Sequence, residues 1–122
     1  MKRLIAIIFC FSSFATSYMF SQTVRDIHIK EIDAKYIQIR KFPEFRTNKI
    51  SIWVDFGQEN NNKLFDRVDN GIKDENGNDV LFNSMIDALN FFSKYGFEFI
   101  EMYPLTNNDE TIYYYILKRR DE

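Results

Sequence analysis

The sequence predicts an α+β fold: an antiparallel four-stranded sheet in the order β-β-α-β-β, with one helix packed on one face. Three observations lead there. Two neighbouring stretches alternate with period two, a later stretch repeats at helical spacing between a cap and a glycine, and two strand-like runs close the chain. Elements that are each apolar on one side bury those sides most economically as one sheet under one helix.

The first strand is read at residues 36–42, where Ile37 and Ile39 fall on one side and Tyr36, Gln38 and Arg40 on the other. The second, at residues 49–57, alternates more cleanly. Ile50, Ile52, Val54 and Phe56 share one face, while Ser51, Trp53 and Asp55 share the opposite one. Period-two patterning in β-branched residues marks half-buried strands. Pro43 and Asn48 bound a six-residue link, so the two strands form an antiparallel hairpin with a longer loop. Ahead of them, residues 24–32 alternate at Ile27 and Ile29 and are expected as an edge strand or as a leader into the first strand. Residues 58–79 form an Asn/Asp-rich loop containing Asn60-Asn61-Asn62, Asp69-Asn70-Gly71 and Asn76-Gly77-Asn78-Asp79. Asn, Asp and Gly tolerate positive φ and bond to the local backbone. A small hairpin about Asn76-Gly77 is expected to pair Ile72 with Val80 and Leu81.

The helix begins at Ser84, which accepts from the first-turn amides while Asp87 reaches back, the pattern of a capping box. Met85, Ala88, Leu89, Phe92 and Tyr95 then form one apolar stripe. Gly96 stands where a left-handed residue would stop the helix. Two strands follow, at residues 97–103, stopped by Pro104, and at residues 111–118. Asn107-Asn108-Asp109 makes the turn between them.

The N-terminus has the layout of a secretory signal peptide at residues 1–21. Lys2 and Arg3 precede an apolar run from Leu4 to Phe11, and a stretch richer in small residues ends near Ser17 or Ser21. A cut before Gln22 removes the apolar Tyr18-Met19-Phe20 run and leaves a polar start, and is favoured over a cut before Tyr18. The rival, an uncleaved anchor, would rest on seventeen residues that include Ser12, Ser13, Thr16 and Ser17, short and polar for a span. Lipidation at Cys10 is disfavoured by bulky Phe9 before it. The expectation is an exported protein, periplasmic or extracellular, with no stable membrane insertion once the leader is cut. Residues 22–122 make a single α+β domain. That domain lacks cysteine, because the only one is Cys10. Disulfides, thiolate nucleophiles and cysteine zinc sites therefore drop out. The basic count falls from 16 to 14 against 18 acids, a net charge of −4. With no basic stripe, a nucleic-acid partner is not expected.

The C-terminal third carries a family resemblance. Residues 88–100, with Gly96-Phe97-Glu98, and residues 112–119, ending Leu117-Lys118-Arg119, resemble DUF4177-like domains. Those have a helix ending in Gly-Trp-Glu-Leu-Val and a closing strand ending in Leu-Lys-Arg. Phe97 stands where the family has tryptophan. The resemblance spans residues 83–119 and weakly the hairpin before them. The leader and the Phe/Tyr/Asn-rich style also resemble small exported Bacteroidetes proteins. Since the family is uncharacterised, the resemblance implies a fold and no catalytic residue.

Candidate chemistry is sparse. His28, the only histidine, reads as a solvent-facing strand residue, and a general base there would need a partner elsewhere in the fold. Residues 66–79 invite a calcium reading through Asp69, Asp74, Asn76 and Asp79, but EF-hand spacing fails from either start: position three from Asp66 is Val68, and position twelve from Asp74 is Met85. Glu98 and Glu101, three apart on a strand, point to opposite faces and cannot act as a pair. No Gly-x-Ser-x-Gly, phosphate loop or His-Glu-x-x-His occurs. No cofactor and no enzyme activity are therefore expected. One helix covers one sheet face, and the other would carry Tyr36, Gln38, Arg40 and Trp53. Tyr113 with Tyr115, or alternatively Tyr114, would join them; we take Tyr113 and Tyr115. Such a face suits a protein or glycan partner, or self-association. The expected function is a non-catalytic binding module. The alternatives are a calcium-stabilised structural domain or a hydrolase of an unrecognised kind.

Overall fold

Alternating isoleucines and valines build the sheet, and a positive-φ turn at Asn108 and Asp109 sets its last hairpin. The computed structural model describes residues 21–59 and 70–121. The predicted leader up to Phe20 lies outside the described residues, as do Asp66 and Asp69. In chain order the elements are β1 (Thr23–Val24), β2 (Ile27–His28), a 3-10 turn (Ile29–Glu31), β3 (Tyr36–Pro43), β4 (Ile50–Asp55), α1 (Met85–Lys94), β5 (Phe97–Asn107) and β6 (Glu110–Arg119). The fold is α+β and mostly strand. A four-stranded antiparallel sheet runs β4-β3-β6-β5, and β1 and β2 form a separate two-stranded sheet.

Pairing of Ile39 with Val54 and Tyr115, and of Ile37 with Leu117, places these side chains on one face of the sheet. Ile37, Ile39, Ile52, Val54 and Leu117 are buried there with Ala88, Phe92 and Tyr95 of the helix region. Phe92 is completely buried, and a side chain of that kind contributes roughly 3–5 kcal/mol against alanine. The helix cap works as the spacing implied, with one shift. Ser84 Oγ accepts from Asp87 N at 3.2 Å, while Asp87 Oδ2 accepts from Asn83 N at 2.9 Å, one residue before the cap. At the other end Gly96 has φ +90°, and a Cβ there would meet no atom within 4 Å. Its requirement is conformational, not steric.

Residues 24–32 form neither an edge strand of the main sheet nor a straight leader. The chain reverses at Arg25 and Asp26, both at positive φ (51° and 63°), so Val24 pairs with Ile27. Val24, Ile29 and Ile32 then enter the core, and Ile27 stays outside. Arginine in a left-handed turn is strained, and its side chain offsets this by donating to Asn70 Oδ1 at 2.6 Å and to Glu59 O at 2.9 Å. Fully buried Asn70 also accepts from Gln58 Nε2, at 2.9 Å, and its carbonyl accepts from Val54 N. This network ties Gln58 and Asn70 of the Asn/Asp-rich loop to β4. Its second half forms the expected small hairpin: Lys73 pairs with Asp79, and Val80 N donates to Ile72 O.

Pro104 does not stop its strand. β5 runs on to Asn107, and a two-residue turn at Asn108 and Asp109 (φ 50° and 66°) returns the chain into β6. In a two-residue hairpin the flanking pair, Asn107 and Glu110, exchanges backbone bonds, and alternate pairs back from it do likewise. Pro104, opposite Tyr113, falls between bonded pairs, so its missing N–H points outward from the ladder. The β5 edge therefore carries a proline and a bulge between Phe99 and Glu101. The other edge, β4, is covered by Asn70-Gly71 and by Phe82, which exchanges two bonds with Ile50.

Ser84→Ala is expected to lower stability by about 1 kcal/mol, and Gly96→Val by on the order of 2 kcal/mol. Gly96→Asn should lose less than valine does, since asparagine tolerates positive φ. Chemical denaturation measures all three. Tyr95, whose hydroxyl donates to Gln22 Oε1 at 2.6 Å, has its phenol pKa raised by burial above the usual tyrosine value. A raised folded pKa gives stability that is fully present below the unfolded value of about 10 and declines as pH rises past it. Tyr95→Phe should flatten that decline in denaturation curves taken above neutral pH, at a cost near neutrality of about 1 kcal/mol for the lost bond.

Candidate functional site

The face opposite the helix is organised around Arg40. Its cross-strand partner on β4 is Trp53, and Phe42 follows two residues later on the same face of β3. The Arg40 guanidinium carbon lies 4.6 Å from the Phe42 ring centre, 4.9 Å from Trp53 and 5.8 Å from Tyr114. Three strands thus send an aromatic ring to one cation, a geometry in which the ring quadrupoles attract it. The Arg40 Nε is buried and has no hydrogen-bond partner. An unmet buried donor costs about 1–3 kcal/mol, more than a stacked guanidinium on a plain outer face would need to bear.

Beside Arg40 the face continues through Gln38 and Tyr36, the latter about half exposed. Gln38 Oε1 accepts from the Tyr103 hydroxyl at 2.5 Å. Tyr103 stacks on Tyr114 with ring centres 5.2 Å apart and planes 16° from parallel. Of the residues expected here from sequence, Tyr36, Gln38, Arg40 and Trp53 come together. Tyr113 and Tyr115 do not. Tyr115 pairs with Ile39 and Tyr113 with Pro104, which puts both on the helix side of the sheet. Tyr115 packs partly against the core and lies 6.2 Å from Phe99. The correction follows from β6 register, since alternate residues of a strand change face. Tyr114 takes their place, and Tyr103 and Phe42 are additions. Phe42 shared parity with Arg40 in the sequence. Tyr103 was concealed by the β5 bulge, which shifts the phase of everything after Ile100 and also puts Glu98 and Glu101, expected on opposite faces, on the same one, opposite Lys118 and Ile116.

The other sequence candidates fall elsewhere. His28 is exposed on β2, beside a hollow of about 500 Å³ shared with Asp26, Asp74 and Lys73. Asp74 Oδ1 accepts from the backbone N–H groups of Asn76 and Asn78, and Asp79 pairs with Lys73. The two described carboxylates of the calcium reading are thus committed to a turn and to a lysine. Among the described residues no group of three His, Cys, Asp or Glu is arranged to hold a metal ion. No helix among them is long and apolar enough to cross a membrane. Basic side chains gather at the far end of the sheet. Arg119 donates to the carbonyls of Ile32 and Ala34 and lies over the Phe97 ring at 4.5 Å. Arg120 donates to Ser93 O. Both close the fold at that end.

With Asp74 and Asp79 engaged in this way, the melting temperature is expected to be the same in millimolar calcium as in chelator. A rise in calcium would restore the cation-stabilised reading. No protein-family model, curated protein or solved structure matches this chain.

Proposed function

We propose that the chain is an exported, non-catalytic binding module whose ligand surface is the sheet face built on Arg40, Trp53, Tyr36, Gln38 and Tyr114. The observation that carries this reading is the guanidinium held by three rings on one sheet face. Aromatic and arginine side chains at the centre of a rigid surface are the groups that contribute most to recognition. Antiparallel strands supply that rigidity, and the half-exposed Tyr36 borders the cluster with a large ring. The partner is a protein or a glycan, and self-association through the same face belongs to this proposal.

Export rests on the leader at residues 1–21, followed by periplasmic or extracellular residence. A cut before Gln22 is compatible with the contacts made from that residue onward. Gln22 O accepts from Ile29 N, Thr23 exchanges bonds with Lys73, and Val24 is fully buried. A cut before Gln22 preserves all of these. The DUF4177-like relationship is part of the same reading. It is in keeping with the meeting of three of its motif positions, since Gly96 ends the helix, Phe97 is buried, and Arg119 stacks on it. In this view β3, β4, α1, β5 and β6 are the β-β-α-β-β unit, and the N-terminal hairpin is a strap added to it.

Trp53→Ala and Tyr36→Ala are expected to keep the far-UV spectrum and a cooperative melt while abolishing a ligand found by glycan screen or pull-down, or abolishing a dimer seen by sedimentation. A wild-type protein that stays monomeric at high concentration and captures nothing would overturn the proposal.

A further inference from the structure

We infer that the ligand of this face is an acidic polysaccharide of the uronic-acid class, gripped through its carboxylates by Arg40. The inference rests on the binding-face reading and gives its ligand a chemistry. The Arg40 guanidinium is already oriented by Phe42, Trp53 and Tyr114, so little side-chain freedom remains to be lost on binding. Nε is buried and turned away from any ligand, so the grip falls to the Nη side of the fork, and no carboxylate of the described residues pairs with the group. Of the acids on this face, Asp55 Oδ1 accepts from Gly57 N at 2.9 Å and Glu98 faces Arg120 at 3.8 Å, while Glu101, opposite Ile116, stands level with Gln38 and makes no ion pair with Arg40. Arginine is the side chain whose planar fork matches a carboxylate. A carboxylate lies in the guanidinium plane and keeps clear of the flanking rings, whereas the tetrahedron of a sulfate projects out of that plane.

The form of the surface favours a sugar polymer over a peptide. An extended peptide would gain its affinity by adding a strand to a sheet edge. Here β4 is already covered by Asn70-Gly71 and Phe82, and β5 is interrupted by a bulge and by Pro104. What remains is the face itself, with the ring of Tyr36 and the stacked pair Tyr103 and Tyr114 beside the cation. Flat rings of this kind accept the C–H face of a pyranose, and Gln38 lies among them to bond hydroxyls.

Trp53 is the single tryptophan of the chain, so its emission reports events at Arg40. Titration of the purified protein with polygalacturonate should change that emission to saturation. About 0.5 M sodium chloride should weaken the binding about fivefold. Arg40→Gln should weaken it about tenfold, and Arg40→Lys, which keeps charge and loses the fork, by a smaller but measurable factor. Circular dichroism and melting establish that each variant folds, and the lysine variant carries the test if the glutamine variant does not. Equal or tighter binding of neutral dextran, dextran sulfate or polyglutamate would overturn the inference, as would unchanged affinity in both Arg40 variants. Affinity electrophoresis separates the two levels of failure. If no polysaccharide is retarded while a protein partner still requires Trp53, the uronic-acid inference falls and the binding face stands. If polygalacturonate retards Trp53→Ala and Tyr36→Ala as it does wild type, the binding face itself falls.

Discussion

Everything in this fold hangs on one short seam. β3 and β4 are a local hairpin, as are β5 and β6, and what joins the two is the pairing of Tyr36, Gln38 and their neighbours on β3 with only four residues of β6, Tyr115 to Lys118. Hairpins of two strands are marginal alone, so the seam turns two weak ribbons into a sheet with a buried face. It brings together segments nearly eighty residues apart, which makes it costly to close and explains the reinforcement at one end. Arg119 N donates to Lys35 O, its guanidinium bonds the carbonyls of Ile32 and Ala34, and Phe97 lies beneath it.

At its other end the seam stops after the pair Ile39 and Tyr115, and the next residues are Arg40 and Tyr114. The arginine thus sits where backbone pairing between the two hairpins ends. Its contacts with Phe42, Trp53 and Tyr114 span the three strands on either side of that point. Fold and candidate site are connected here. The guanidinium lies just past the last backbone pair between β3 and β6, and no carboxylate of the described residues pairs with it.

The helix and both hairpins were legible because their determinants are local. Ser84, the stripe through Phe92, and Gly96 each act within one or two turns, and alternation at residues 36–42 and 50–56 needs no knowledge of neighbours. The misread elements depend on something distant. Residues 24–32 alternate like a strand, yet Arg25 reverses the chain because Asn70 and Glu59 receive its side chain. Pro104 looked like a strand terminus until hairpin register placed it where a donor is not needed. Tyr113 and Tyr115 differ from Tyr114 by one residue, and one residue is the whole difference between two faces of a sheet.

By itself the sequence determined the α+β class, the position and caps of the helix, the small hairpin about Asn76-Gly77, and the grouping of Tyr36, Gln38, Arg40 and Trp53 on one side. Periodicity and capping are written in neighbouring residues, and burial of the apolar side follows from water. Tertiary structure alone decided which tyrosines join that group, where the N-terminal strap goes, and that Arg40 is held by three rings with no acid among the described residues paired to it. Those outcomes depend on the register of β6 against β3 and on the bulge in β5. No local preference specifies either, because the pairing energy of a strand is realised only when its partner arrives from the far end of the chain.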